Sequence, residues 1–142
     1  MANERSGQAV TILVAEDNEV NQMVVEQILE TTGHSFTIVA NGRQAVEMYH
    51  KLQPRLVLMD VSMPDMNGLE ATRAIREAES ETGAHVPIIG LTAHALKGDR
   101  EMCLEAGMND YMSKPISPDK LTAKVDEWLS RAGGQAGGQA VA

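Results

Sequence analysis

The sequence predicts an α/β fold in which a doubly wound, five-stranded parallel sheet is made by five successive strand–helix units. Two observations carry that expectation. Strand-like runs at 10–15 (VTILVA), 35–39 (SFTIV), 56–60 (LVLMD) and 87–92 (PIIGLT) alternate with helical patterns, and a short fifth run, DYM, follows at 110–112. The runs at 10, 56 and 87 are almost continuously apolar, as parallel strands covered by helices on both faces have to be. Alternating elements of this kind place the ligand crevice beyond the carboxyl ends of the strands.

Taken in order, residues 1–9 are polar and offer nothing to bury, so a flexible N-terminus is expected there. The first strand runs into Glu16-Asp17, and Asn18 is placed to cap the helix that follows. In that helix Val20, Val24 and Ile28 recur every four residues, which predicts the face packed on the sheet, and Gly33 supplies a C-terminal stop. SFTIV alternates rather than being uniformly apolar, as an edge strand would, and Asn41 caps the next helix. Ser117 followed by Pro118 puts a cap before a proline at the first helical position, and Leu121, Val125, Trp128 and Leu129 form one apolar face. The GGQAGGQA segment cannot support a packed core. One domain over 10–131, with flexible segments at 1–9 and 132–142, is the expected organisation.

Composition narrows the function classes. A chain of 142 residues is about one domain, large enough to bury roughly two thirds of its unfolded surface. Twenty acidic against 12 basic residues give a net charge of -8, which opposes binding to a nucleic-acid backbone or an anionic membrane. Cys103 is the only cysteine, so no internal disulfide can form, and the chain has neither an apolar signal core at its start nor a run long enough to span a bilayer. A cytoplasmic location is expected. His34, His50, His85 and His94 show no paired metal-ligand spacing, Cys103 sits between Met102 and Leu104 as a packed thiol would, and Trp128 is expected to serve packing.

Five residues share the strand-end position where the crevice is expected: Glu16 and Asp17 after the first run, Asp60 after the third, Thr92 after the fourth and Lys114 after the fifth. Alone, each has a plainer meaning, as a solvated turn, a helix cap or a β-branched strand residue. Together they bring three carboxylates into one place, where each like-charge pair about 4 Å apart costs on the order of 4 kcal/mol at an effective dielectric of 20. A hard divalent cation with oxygen ligands offsets that charge, and Mg²⁺ is the natural candidate. Lys114 supplies further positive charge and Thr92 a hydroxyl donor. Such an arrangement surrounds the equatorial oxygens of a transferring phosphoryl group, with Asp60 as the nucleophile.

With these residues in place, the chain resembles the receiver domain of two-component response regulators, most closely the receivers of hybrid histidine kinases. The resemblance covers nearly all of 10–131 and rests on AEDNEVNQ (Glu16, Asp17), LMDVSMPDMNG (Asp60), LTAHAL (Thr92) and SKP (Lys114). It implies a flavodoxin-like strand order 2-1-3-4-5 and a phosphoryl group accepted from phosphohistidine onto Asp60 with Mg²⁺. It further implies that the backbone carbonyl of Ser62 completes the metal shell, that Thr92 and Tyr111 act as switch residues, and that His94, two residues after Thr92, tunes hydrolysis. The implied partners are a histidine kinase or histidine phosphotransfer protein and a downstream protein target, with no direct nucleic-acid or membrane contact; a weak or phosphorylation-dependent dimer is compatible with it. Gly98 costs its helix about 1 kcal/mol against alanine, so that helix is expected to be loosely formed before activation.

Three competing functions fit less well. A haloacid-dehalogenase-type phosphatase needs a second aspartate two residues after the first, where this chain has Ser62. A phosphorylation-independent interaction module usually lacks one or more of the five residues, and all five are present. Nucleotide binding has no G-x-G-x-x-G or Walker loop to support it.

Overall fold

The computed structural model describes residues 10–63, 65–93 and 97–141. Five strands, β1 (Ile12–Ala15), β2 (Phe36–Val39), β3 (Leu56–Asp60), β4 (Ile88–Thr92) and β5 (Asp110–Ser113), alternate with five helices, α1 (Glu19–Thr32), α2 (Gly42–Leu52), α3 (Gly68–Glu79), α4 (Lys97–Ala106) and α5 (Pro118–Val141). All pairings are parallel and the spatial order is β2-β1-β3-β4-β5. The expected fold and the edge position of SFTIV are both observed. The expected flexible N-terminus, 1–9, lies outside the described residues, whereas α5 continues to Val141, through the Gly-rich segment.

Period-two side-chain alternation divides the core between the two faces of the sheet. Ile12 and Val14 of β1 join Leu56, Leu58, Ile89 and Leu91 against α1 and α5, whereas Leu13 and Ala15 join Val57, Met59 and Ile88 against α2, α3 and α4. Cys103 is buried in that second cluster, and burial pushes its thiol pKa up. This is the inert, packed cysteine that the sequence suggests.

The buried face of α1 differs from expectation. Val25, Ile28 and Leu29 are buried, Val24 is half-buried, and Val20 is 66% exposed. At 100° per residue, positions four apart drift by about 40° per step, so a face that buries Ile28 has turned away by Val20. Asn18 and Asn41 cap α1 and α2 by accepting from the amides of Asn21 and Gln44 at 3.0 and 2.9 Å, and Gly33 ends α1 with φ of 80°. Asn67 and Glu70 form a reciprocal capping box at the start of α3.

At the amino-terminal end of the sheet, a buried polar network joins four segments. Glu79, 3% exposed, accepts from Tyr49 Oη (2.8 Å), the Val86 amide (2.8 Å) and Arg76 Nη1 (2.6 Å), while Arg76 also donates to the Gly107 carbonyl (2.9 Å) and Asn109 Oδ1 (2.7 Å). Burial first, and then the bond to Glu79, push the Tyr49 hydroxyl well above the ordinary phenol pKa. The network holds α2, α3, the segment leading into β4 and the α4–β5 turn in one frame.

A second polar contact fixes β5 to α5. Asp110 accepts from Lys124 Nζ (2.7 Å), Trp128 Nε1 (3.0 Å) and the Tyr111 amide (2.8 Å). Burial alone would raise the Asp110 carboxyl, but these three donors overcome it and the pKa is lowered. A carboxyl depressed on folding stabilises the protein above its unfolded value near 3.9, and that contribution is lost as pH falls through the lower folded value. Acid titration should therefore shift the fluorescence of the single tryptophan below about pH 4, and Asp110→Asn should abolish that step. An unchanged step in the variant would assign it to another group.

Candidate functional site

The strand order reverses between β1 and β3, so the crevice opens where the chain after Ala15 and the end of β3 lie side by side. Glu16 is fully buried there. Its Oε2 accepts from the Asn18 amide (3.1 Å) and Asn21 Nδ2 (3.4 Å), and its carbonyl accepts from Gln22 Nε2 (2.6 Å). The same first turn that Asn18 caps thus also holds the Glu16 carboxylate. Asp17, next in the chain, is exposed at the mouth. Asp60 closes β3, 1% exposed, with Oδ1 accepting from the Ser62 amide (3.1 Å) and Oδ2 accepting from Lys114 Nζ (2.9 Å).

Lys114 follows β5, which pairs with β4 so that the Lys114 amide donates to the Thr92 carbonyl at 2.7 Å. The Lys114–Pro115 peptide is cis. Its ammonium lies 2.9 Å from Asp60 and 3.2 Å from Glu16 Oε1. The second distance is ion-pair range without hydrogen-bond geometry, because Oε1 has no hydrogen-bonded partner among the described residues. The ammonium is directed at Asp60 and only attracts Glu16.

Charge in the site is unevenly met. Burial pushes the Asp60 carboxyl up, the Lys114 hydrogen bond opposes that, and the Glu16 charge adds to it, leaving the pKa raised. For Lys114, burial favours the neutral amine, but the Asp60 hydrogen bond and both carboxylate charges outweigh it and raise the pKa. An ion pair ordinarily moves its partners in opposite directions. Here both rise: burial, aided by the Glu16 charge, lifts Asp60, while the Asp60 hydrogen bond and the two carboxylate charges lift Lys114, whose side chain is 21% exposed.

Oxygen atoms of Glu16, Asp17 and Asp60 all lie within 4.8 Å of one another. An all-oxygen donor set, a buried Glu16 oxygen with no hydrogen-bond donor among the described residues, three carboxylates beside the Lys114 ammonium and an exposed carboxylate at the mouth together fit a hard divalent cation. Ser62 is held beside this set by its amide. Thr92 is 3% exposed at the end of β4. Tyr111, on β5, is half-buried and lines a groove with Lys114, Ser117, Lys120 and Lys124. His94 lies outside the described residues. The structure thus brings Glu16, Asp17, Asp60 and Lys114 into direct proximity, with Thr92 at the end of β4, next to β3, and Tyr111 on β5, the strand that leads into Lys114.

Sequence reasoning did not single out the residues that support this set. Asn21 and Gln22 hold Glu16 from α1, and their only signal was their place three and four residues after the Asn18 cap. Gly68 was not marked either, although a Cβ there would overlap the Asp60 carbonyl; the N-x-x-E box that opens α3 was the available sign.

The family model described as "response regulator receiver domain" matches residues 12–126. The chain belongs to that family. Receivers are signalling phosphoacceptors of two-component and phosphorelay systems rather than classical enzymes. This receiver is 48% identical over 125 residues to hybrid signal transduction histidine kinase I of Dictyostelium discoideum, covering 84% of the chain but 7% of that protein. The chain therefore spans a small fraction of the length of such relatives. The crystal structure of the receiver domain of sensor histidine kinase PA1611 from Pseudomonas aeruginosa, with a magnesium ion coordinated in its active-site cleft, is 45% identical. It superposes with a TM-score of 0.75, covering 86% of this chain and 98% of that one. The Saccharomyces cerevisiae co-crystal structure of histidine phosphotransfer protein Ypd1 with the receiver domain of Ssk1 gives a TM-score of 0.82 at 31% identity, covering 87% and 91%. Among the described residues of this receiver, no helix is long and apolar enough to cross a membrane.

Proposed function

We propose that this receiver accepts a phosphoryl group from a phosphohistidine onto Asp60, with Mg²⁺ held by Glu16, Asp17, Asp60 and the Ser62 carbonyl, and that the modification switches a partner-binding surface. The observation that carries this is the buried Asp60 carboxylate, 2.9 Å from Lys114 and within 4.8 Å of two further carboxylates. A carboxylate oxygen of Asp60 attacks phosphorus, the phosphorus–nitrogen bond to the donor imidazole breaks, and the imidazole leaves with its electron pair. When bound, Mg²⁺ supplies positive charge to the phosphoryl oxygens and offsets the carboxylates. Lys114 meets the same charge from the other side, and Thr92 donates its hydroxyl to a phosphoryl oxygen.

The phosphoryl group carries roughly 1.5 to 2 negative charges. The Asp60 carboxylate gives up its own charge in forming the acyl bond, so the net gain at the site is at most about one, carried further out on three acceptor oxygens. Thr92 moves towards the phosphoryl group, Tyr111 turns inward into the vacated space, and the surface over residues 95–131 changes with them. Driving such a two-state element from 1:99 to 99:1 takes about 5.5 kcal/mol of bias, and a smaller bias gives a graded response. His94 stands two residues from Thr92, where it tunes hydrolysis. The phosphodonor is a histidine kinase or histidine phosphotransfer protein, a reading supported by the Ypd1 co-crystal and by the hybrid-kinase relatives. Output then passes through protein contacts, as transfer onward in a relay or as binding of a target.

Incubation with acetyl phosphate and Mg²⁺ should add one phosphoryl group by intact mass, and EDTA should prevent it. No gain by a folded protein that binds Mg²⁺, from acetyl phosphate or from a phosphorylated histidine phosphotransfer protein, would leave a phosphorylation-independent interaction module as the better account.

A further inference from the structure

The segment between β3 and α3 begins at the proposed acceptor, and both of its ends are tied to that residue's surroundings. Near its start the Ser62 amide donates to Asp60 Oδ1 at 3.1 Å. At its far end the Gly68 amide donates to the Val61 carbonyl at 3.1 Å, and Gly68 sits so close to the Asp60 carbonyl that no Cβ fits between them. Displacement of the middle of this segment therefore reaches the Asp60 and Ser62 oxygens.

That middle is held from outside the site, by the first turn of α2. The buried Gly42 donates its amide to the Met66 carbonyl at 2.9 Å, and a Cβ on Gly42 would overlap that same oxygen. Beside it, Arg43 Nε donates to Asp65 Oδ2 at 3.0 Å. Asp65 has φ of 68°, a left-handed conformation that aspartate tolerates better than most residues. At its other end α2 is fixed to α3 through Tyr49 and Glu79, 2.8 Å apart, so its first turn is a firm support.

We infer that Gly42 and Arg43 are positioning residues for the phosphoacceptor site: through Met66 and Asp65 they set the segment that presents the Asp60 carboxylate and the Ser62 carbonyl. The inference rests on the metal and acceptor roles proposed above, and it adds a support from α2 that touches neither the metal nor the phosphoryl group. Any change that lifts the start of α2 is transmitted to metal affinity.

Calorimetric titration of the unphosphorylated protein with Mg²⁺ tests this without calling on phosphorylation. Arg43→Gln decides, because two effects have opposite signs. Removing a positive charge near a cation site tightens Mg²⁺ by field alone, whereas freeing Asp65 weakens it. Positioning predicts a Kd about twofold to fivefold weaker, the range open to an exposed ion pair. It also predicts that Arg43→Gln with Asp65→Asn is no weaker than Asp65→Asn by itself. Gly42→Ala should weaken Mg²⁺ by about tenfold or more if it folds, since backbone rather than a side-chain tip has to move. A Kd in Arg43→Gln equal to or tighter than wild type overturns the inference, whatever Gly42→Ala does. Wild-type protein that binds no Mg²⁺ overturns the metal site itself, and the inference with it.

Discussion

Asp60→Asn will accept no phosphoryl group from any donor, and in EDTA it will nevertheless melt above the wild type. The first half follows from chemistry, since the amide offers no carboxylate nucleophile. The second follows from the Asp60 carboxyl, which burial raises, with the Glu16 charge adding to it against the Lys114 hydrogen bond. A carboxyl that binds its proton more tightly when folded removes stability as pH rises from its unfolded value near 3.9 through the higher folded value. At neutral pH the ionised group is thus a net cost to the fold. Asparagine keeps an acceptor for the Ser62 amide at little change in volume, and it leaves Lys114 to Glu16, 3.2 Å away. A gain of about 1 kcal/mol, or a few degrees in Tm, is expected. Mg²⁺ should narrow the difference, because the wild type has more charge to offset. A lower Tm in EDTA would show that the Lys114–Asp60 attraction outweighs burial and the Glu16 charge together.

Lys114→Met is the opposite case, with both function and fold losing. It removes, among the described residues, the ammonium that pairs with Glu16 and Asp60, which are 0% and 1% exposed. Stranding buried charges in this way costs about 3 kcal/mol, and loss of a preorganised positive group slows phosphoryl uptake by about 10²- to 10³-fold. The variant's Tm should rise more on adding Mg²⁺ than the wild type's does, because a bound cation stabilises in proportion to its occupancy and the site has become more negative. An equal Mg²⁺ shift in the two proteins would mean that Lys114 does not share its field with the metal site.

Much of this molecule was legible locally. Glu16-Asp17 and Asp60 could be found because a run of buried apolar residues stops where a parallel strand leaves the sheet, and the next polar side chains then stand in the crevice. Asn18, Asn41 and Gly33 declared their helix ends because capping is chemistry between near neighbours in the chain. The face of α1 was less legible. Val20, Val24 and Ile28 share a spacing of four, but that stripe winds around the helix, and only the sheet beneath decides which part of it is covered.

The sequence by itself determined the strand–helix alternation, the strand-end placement of the acidic residues and Lys114, and the membership those motifs imply. Only the tertiary structure decided how their charges are met. Lys114 donates to Asp60 while merely attracting Glu16, and Glu16 is held by α1 side chains. Arg76 and Glu79, three residues apart on α3, are the centre of a buried network that draws on Tyr49, Val86, Gly107 and Asn109. Gly42 meets Met66 from a separate helix. The physical reason is common to these cases. Helix caps and strand ends are set by groups a few residues apart, whereas burial, shared ion pairs and close backbone approach depend on which distant segments the folded chain brings together.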